Sequence, residues 1–176
     1  DALLEHFVLV ADAAELPIML YDIPSRSAIP IPEETIIELA RHPRIVAVKD
    51  AKGDLVSSAK VMSVTDLAYY SGDDAVTLPL MSVGGVGVVG TSTHFSGALT
   101  KEWMDLLADG DSDGALEIYR RLLPVYTGVF ATQGCMLVKA GLAARGFNPA
   151  VLRRPLKPAS PSQARAFVQL LDAAGL

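Results

Sequence analysis

The chain has 176 residues, of which 51% are hydrophobic and 20% are charged, which is typical of a globular domain and excludes a disordered protein. The net charge of −5, with no basic run longer than two residues, argues against a nucleic-acid or membrane-surface binder. Cys135 is the only cysteine and the first residues show no signal-peptide pattern, so we expect a cytoplasmic protein without a disulfide framework.

Apolar runs and helix-forming segments alternate through the first half of the chain. Runs without clean polar alternation, each followed by a helical segment, predict βαβ units and a parallel sheet covered on both faces. Asp54 is placed to cap one of the helices. The predicted helices are 3–14, 33–41, a segment after Asp54, and 75–82, and the predicted strands are 18–21, 45–49, 67–71 and 86–91.

The stretch 75–95 carries no Asp, Glu, Lys or Arg and is long enough to cross a bilayer. Pro79 and four glycines make it a poor membrane helix. We therefore predict a buried strand with its flanking loops, and no membrane partner.

The pattern changes after Gly97, where helical segments follow one another without strands. Ser160 is a plausible N-cap, with Pro161 at the first helical position. The predicted division is a partial barrel at 1–97 and a helical domain at 98–176. The predicted helices of this second part are 101–109, 112–126, 132–145 and 161–174.

Candidate functional residues are sought where the predicted strands end, because ligands bind at the carboxyl ends of parallel strands. Lys49 closes one apolar run and Tyr21 closes the run before it. An amine in an apolar site can act as a nucleophile that forms imines, and a neighbouring phenol can relay protons. Taken alone, Lys49 also fits a lysine that extends into solvent from a strand end. Arg26, five residues after the phenol, fits a carboxylate ligand and a solvated surface residue equally well.

Two other motifs have plainer interpretations. The glycines at 85, 87 and 90 match a dinucleotide-binding spacing, but they lie within an apolar strand, where relief of crowding in a curved sheet is the favoured interpretation. The segment 109–114 (DGDSDG) resembles the opening of a calcium loop, but its twelfth position is Arg120 instead of a glutamate. We favour an acidic turn that caps the next helix.

Three segments together resemble the dihydrodipicolinate synthase family. They are 21–27 (YDIPSRS), 46–50 (VAVKD) and 70–75 (YSGDDA). The Tyr-x-x-Pro spacing and the lysine are shared with the wider pyruvate-dependent aldolases, which include N-acetylneuraminate lyase. The arginine after the proline and the Ser-Gly-Asp-Asp turn are more specific to the synthases. The resemblance extends through the whole chain, including its helical second part.

The resemblance implies an α/β fold, namely the C-terminal half of a TIM (β/α)8 barrel, with four parallel β/α units, followed by a C-terminal helical domain. It implies a lyase that condenses pyruvate with aspartate semialdehyde in lysine (diaminopimelate) biosynthesis. No metal or dissociable cofactor is implied, since pyruvate itself forms a covalent imine. A homo-oligomer, either a dimer or a tetramer, is also implied.

The resemblance implies a role for five residues of this chain. Lys49 corresponds to the lysine that forms the imine, and Tyr21 to the phenol that shuttles protons. Arg26 corresponds to the arginine that receives a substrate carboxylate at the mouth of the site. Gly72 and Val89 correspond to positions that line the pyruvate pocket.

The chain also departs from the family pattern. The family barrel has eight strands and this chain supplies four, so the family's threonine pair and the tyrosine that crosses a subunit interface fall outside it. The segment 88–94 (VVGTSTH) matches the family pattern only loosely. Two alternatives therefore remain: another pyruvate-dependent aldolase, such as an N-acetylneuraminate lyase or a keto-sugar-acid aldolase, or a non-catalytic half-barrel with unpaired sheet edges.

Overall fold

A computed structural model describes residues 2–148 and 151–176 of the chain. The described residues form two compact units, Asp1–Val89 and Gly90–Leu176. The division falls a few residues before the boundary that the sequence suggested at 97. Each unit has its own core, and each is described separately below.

The first unit alternates helices and strands as the hydrophobic pattern predicts. Pro24 opens a short helix, α2, that the sequence analysis did not anticipate. Asp54 caps α4 by accepting a hydrogen bond from the Ser57 N–H at 3.0 Å, as expected. In chain order the elements are α1 Ala2–Ala13, β1 Ile18–Asp22, α2 Pro24–Ser27, α3 Glu33–Leu39, β2 Ile45–Asp50, α4 Leu55–Met62, β3 Ala68–Ser71, a 3-10 turn Asp74–Val76, α5 Thr77–Ser82 and β4 Gly87–Val88.

The four strands form one parallel sheet in the order β1-β2-β3-β4. This α/β architecture with a parallel sheet confirms the predicted fold class at that level. Leu20, Val48 and Tyr69 lie on the sheet face that packs into the core, where they are almost fully buried. Burial of this apolar face is the main force that holds the strands and helices of the unit together.

The fourth strand is much shorter than predicted. The sequence suggested a strand over 86–91, whereas β4 contains only Gly87 and Val88. The Val89 N–H donates to the Ser71 carbonyl at 2.8 Å, and β3 ends at Ser71. Because β4 is an edge strand, pairing stops when its single neighbour ends.

The second unit is helical and contains α6 Thr93–Ala108, α7 Ser112–Gly128, α8 Gly134–Ala144 and α9 Pro161–Ala173. Helix α6 begins eight residues earlier than the predicted 101, and its first turns are stabilised by buried contacts of Ser96 that hydropathy does not reveal. Helix α6 packs on α7, and α9 packs on α7 and α8. Leu122, Phe167 and Leu171 belong to the core of this unit.

Two predicted helix caps are present in the second unit. The Ser160 hydroxyl accepts a hydrogen bond from the Gln163 N–H, and the Gln163 side-chain oxygen accepts one from the Ser160 N–H, which completes a capping box. Asp111 caps α7 by accepting from the Gly114 N–H at 3.0 Å. The acidic segment 109–114 thus contains the helix cap that the sequence analysis favoured. None of the helices in the described part of the chain is long and apolar enough to span a membrane.

Candidate active site

Tyr21 and Lys49 meet at the carboxyl ends of neighbouring strands. They are register partners in the β1-β2 ladder, so their side chains leave the same face of the sheet. The Lys49 Nζ atom lies 4.0 Å from the centroid of the Tyr21 ring. A lysine ammonium at this distance over an aromatic face has a favourable electrostatic interaction with the ring. The structure therefore brings together the two residues that the sequence proposed as nucleophile and proton relay.

A second tyrosine flanks Lys49 on its other side. Tyr70 of β3 is the register partner of Lys49 in the β2-β3 ladder, and it is partly buried. Lys49 thus occupies the middle of a row that has a tyrosine in register on each neighbouring strand. Sequence analysis quoted Tyr70 only as part of a motif, because the pairing of β2 with β3 was not yet known.

Gly72 lies directly beside the end of β2. Its N–H donates to the Asp50 carbonyl at 2.6 Å. A Cβ atom at this position would lie 2.8 Å from the Ala51 Cβ and 3.2 Å from the Asp50 carbonyl oxygen. Real Cβ atoms do not approach that closely, so glycine permits the chain to pass against the residue that follows Lys49.

Val89 and Arg26 occupy the loops that leave β4 and β1. Val89 follows β4 immediately and its side chain is exposed. Arg26 lies in α2, two residues after Pro24, and its side chain is also exposed. Both residues therefore lie just beyond the carboxyl ends of their strands.

The opposite face of the same strand ends carries buried acids. Asp22 and Asp50 are register partners, each one residue beyond Tyr21 or Lys49, and they are 2% and 6% exposed. The Asp22 Oδ1 atom accepts from the Ile31 N–H at 3.1 Å, and its Oδ2 atom lies 3.6 Å from the Lys52 Nζ atom. That second distance is too long for a hydrogen bond but is within the range of an ion pair.

Burial raises the pKa of the Asp22 carboxyl, because desolvation penalises its charged form. The Ile31 hydrogen bond and the Lys52 ammonium oppose that shift, while the charge of Asp50 adds to it. Burial likewise raises the pKa of the Tyr69 phenol, and the carboxylates of Asp50 and Asp22 reinforce the effect. Tyr69 therefore stays protonated beside the two acids.

Lys52 is the group that sequence analysis missed. Asp22 and Asp50 stand within the motif segments 21–27 and 46–50, but their burial on one face becomes visible only when the registers are known. A usable signal was present: strand residues alternate between faces, so Asp22 and Asp50 cannot share the face of Tyr21 and Lys49. No comparable pattern identifies Lys52, which lies in the loop after β2.

The described chain also has cavities that neither Tyr21 nor Lys49 lines. A cavity of about 400 Å³ lies at the amino ends of β2 and β3, on the opposite edge from Lys49, and is lined by His42, Ile45 and Leu67 among others. The described residues contain no grouping of three His, Cys, Asp or Glu side chains that could hold a metal ion. The groups able to perform chemistry are therefore concentrated at the carboxyl edge.

Comparison with known proteins yields matches over nearly the whole chain. A sequence model of the dihydrodipicolinate synthetase family (DHDPS) matches residues 1–174. A 4-hydroxy-tetrahydrodipicolinate synthase from Cutibacterium acnes is 59% identical over 170 residues, which are 97% of this chain and 58% of that relative. The chain thus spans a little over half the length of the curated relative that it matches.

Solved structures agree with the sequence comparison. DHDPS from Cyanidioschyzon merolae, crystallised with lysine bound, superposes with a TM-score of 0.94 at 38% identity, covering 99% of this chain and 60% of that one. A chloride-inhibited dihydrodipicolinate synthase from Acinetobacter baumannii, complexed with pyruvate, gives a TM-score of 0.92 at 27% identity and covers 99% and 60%. The fold is therefore shared with these structures along the length of this chain.

Proposed function

This chain belongs to the dihydrodipicolinate synthetase family, and we propose that it carries the imine-forming site of a 4-hydroxy-tetrahydrodipicolinate synthase. The proposed reaction is the condensation of pyruvate with aspartate semialdehyde in lysine (diaminopimelate) biosynthesis. The single observation that supports it best is the 4.0 Å approach of the Lys49 amine to the Tyr21 ring at the ends of paired strands. The same two residues match the family motifs.

The first chemical step is imine formation. The neutral Lys49 amine attacks C2 of pyruvate, a C–N bond forms, and the former carbonyl oxygen leaves as water after it has received two protons. We assign the proton transfers between nitrogen and oxygen to the Tyr21 phenol, whose ring centroid lies 4.0 Å from the Lys49 Nζ atom. The protonated imine then withdraws electrons from the pyruvate methyl group, which loses a proton to give an enamine.

The second step joins the two substrates. The enamine carbon attacks the aldehyde carbon of aspartate semialdehyde, a C–C bond forms, and the aldehyde oxygen takes up a proton. The amino group of the acceptor then attacks the imine carbon, which closes the ring and releases Lys49. No metal or dissociable cofactor is needed, because the imine itself is the electron sink.

Three further residues complete the proposed site. Arg26, exposed in the short helix α2 after β1, would receive the carboxylate of aspartate semialdehyde through its planar guanidinium. Gly72 and Val89 would border the pyruvate pocket through their main chain and, for Val89, its side chain. The close approach of Gly72 to the end of β2 supports this placement.

The acceptor aldehyde separates this proposal from the related aldolases. An N-acetylneuraminate lyase or another keto-acid aldolase would also form an imine at Lys49. The synthase is favoured because the relative described above carries that name at 59% identity. Arg26 supports the same choice, since it provides a ligand for the carboxylate of aspartate semialdehyde.

The architecture that accompanies this function is also part of the proposal. We place the chain in the C-terminal half of a TIM barrel, with its four strands as the last four of eight and 98–176 as the C-terminal helical domain. Met19 and Tyr21 are 39% and 44% exposed on the open face of the sheet. Further strands would cover that face, and a cytoplasmic homodimer or homotetramer would be the working form.

Trapping of the imine tests the function directly. The chain is incubated with pyruvate and reduced with borohydride, and the modified peptide is located by mass. We expect the adduct on Lys49, and no adduct at that peptide in Lys49→Arg. Lys60→Arg is the matched control, since Lys60 is an exposed lysine of α4 that should leave labelling unchanged. A folded chain without label on Lys49 would favour the inert half-barrel.

A further inference from the structure

Behind the candidate site, Lys52 connects the ends of β1 and β2. Its backbone N–H donates to the Asp50 Oδ1 atom at 2.8 Å. Its side-chain ammonium lies 3.6 Å from the Asp22 Oδ2 atom. Lys52 therefore contacts both buried acids: its main chain contacts Asp50, and its ammonium group contacts Asp22.

The remaining partners of the two acids keep this arrangement in place. The Gly53 N–H and the Ser58 hydroxyl also donate to Asp50, and the Ile31 N–H donates to Asp22. The Lys52 Nζ atom donates to the buried Ser57 hydroxyl at 2.9 Å, which limits the directions that its side chain can take. The contacts extend from β1 through the β2-α4 loop into α4.

The electrostatics require a cation at this point. Two carboxylates buried on neighbouring strands repel each other, and Asp22 has no hydrogen bond at Oδ2. Removing one partner from a buried ion pair leaves an uncompensated charge, which the structure relieves by moving or by admitting water. Lys52 is the cation closest to these acids that the described contacts show.

The position of the acids in the chain connects this cluster to the site. Asp22 directly follows Tyr21, and Asp50 directly follows Lys49. In a strand, adjacent side chains leave opposite faces of a shared backbone. A shift of either carboxylate therefore rotates or displaces the tyrosine or the lysine beside it.

We propose that Lys52 is a positioning residue for the imine-forming pair, holding the ends of β1 and β2 so that the Lys49 amine stays over the Tyr21 ring. This inference rests on the proposed function of Lys49 and Tyr21. Lys52 does not touch the substrate in this proposal, and it acts through Asp22 and Asp50. A displacement of the reacting groups by about 1 Å is enough to slow a reaction substantially.

The test compares Lys52→Met with Lys52→Arg and with Lys60→Met. Methionine keeps the length of the side chain and removes the charge, whereas arginine keeps the charge. Lys60 pairs with Glu33 at 3.8 Å on the exposed side of α4, so its variant controls for the loss of one lysine. The rate of borohydride-trapped adduct on Lys49 is measured against pyruvate concentration, at a temperature where circular dichroism shows every variant folded.

We expect Lys52→Met to lower the trapping rate at saturating pyruvate by about tenfold, with little change in the pyruvate concentration that gives half the maximal rate. Lys52→Arg should recover most of the rate, and Lys60→Met should equal the parent chain. Unchanged trapping by folded Lys52→Met would overturn the positioning role while leaving the proposed function intact. If methionine prevents folding, Lys52→Gln carries the same expectation, since it can still donate to Ser57.

A second measurement needs no pyruvate, and it separates the two proposals. The nuclear Overhauser effect between the Lys49 Cε protons and the Tyr21 ring should be present in the parent chain and in Lys60→Met. It should be lost or clearly weakened in Lys52→Met and restored in Lys52→Arg. An unchanged effect in Lys52→Met would contradict the positioning role. Absence of any Lys49 adduct in the parent chain would defeat the proposed function and the positioning role with it.

Discussion

Asp22 shows how a single buried carboxyl couples stability to pH. Its pKa is raised above the ordinary value of 3.8, chiefly because burial penalises the charged form. Above pH 3.8 the folded state therefore holds a proton on Asp22 more firmly than the unfolded state does. Stability falls as pH rises through this range, and the contribution is fully present only at low pH.

Asp22→Asn should remove this dependence on pH. The amide oxygen can still accept from the Ile31 N–H, and the amide does not ionise, so no charge is buried at this position at any pH. Measured by urea unfolding from pH 4 to pH 7, the free energy of unfolding of Asp22→Asn minus that of the parent chain should increase as pH rises, because only the parent loses stability. Asp66→Asn, at an exposed acid, controls for the change in net charge. A difference that stays constant with pH would contradict the assignment.

Helix α6 of the second unit is joined to α7 by a row of buried hydroxyl groups. The Thr100 hydroxyl lies 2.8 Å from the Tyr126 hydroxyl and 3.3 Å from that of Ser96. The Trp103 indole N–H donates to the same Tyr126 oxygen at 3.0 Å. All four side chains are buried, so these hydrogen bonds form away from competing water and an unmade one is costly.

Thr100→Val should destabilise the second unit by about 1 to 2 kcal/mol, because valine keeps the shape of threonine but removes a hydroxyl with buried partners. Thr127→Val is the matched control. The Thr127 hydroxyl donates to the Leu123 and Pro124 carbonyls on the exposed side of α7, and its loss should change stability by less than about 0.5 kcal/mol. Urea unfolding followed by tryptophan fluorescence reports the difference, since Trp103 is the only tryptophan. Equal effects of the two variants would show that the buried row contributes little.

The described sheet is open at both edges. β1 and β4 each have one partner strand, and Met19 and Tyr21 are exposed on the face that carries Lys49. A complete barrel removes such edges and shields the groups that line its interior from water. We therefore distinguish imine formation, for which Lys49 and Tyr21 are present, from full turnover, which needs an enclosed pocket.

Under the proposed half-barrel architecture, full turnover should depend on strands beyond the four described ones. The chain alone, mixed with pyruvate and aspartate semialdehyde, should form product at a rate at least about tenfold below that of a mixture containing the remaining residues of the Cutibacterium acnes synthase. Product is followed by its reduction in a coupled assay. The same mixture made with Lys49→Arg is the control and should be inactive. A chain that turns over equally well without the added segment would show that half a barrel is sufficient.

Much of the architecture could be predicted from the spacing of apolar residues and from the residues that cap or end helices. The strands ending at Tyr21 and Lys49 were located correctly, and so were the caps at Asp54 and Ser160. The short helix α2, the early start of α6 and the brevity of β4 were not. The length of β4 depends on β3, which is distant in sequence, whereas α2 and the first turns of α6 rest on local hydrogen bonds that hydropathy does not reveal.

The sequence by itself determined which chemical groups stand at the strand ends, because strand length, alternation and motif spacing are local properties of the chain. Tertiary structure alone decided which of those groups meet. Register placed Lys49 between Tyr21 and Tyr70, and it put Asp22 and Asp50 together on the other face, within reach of Lys52. The reason is physical: pairing between strands is selected by burial of a whole face, and a shift of one residue would exchange the two faces.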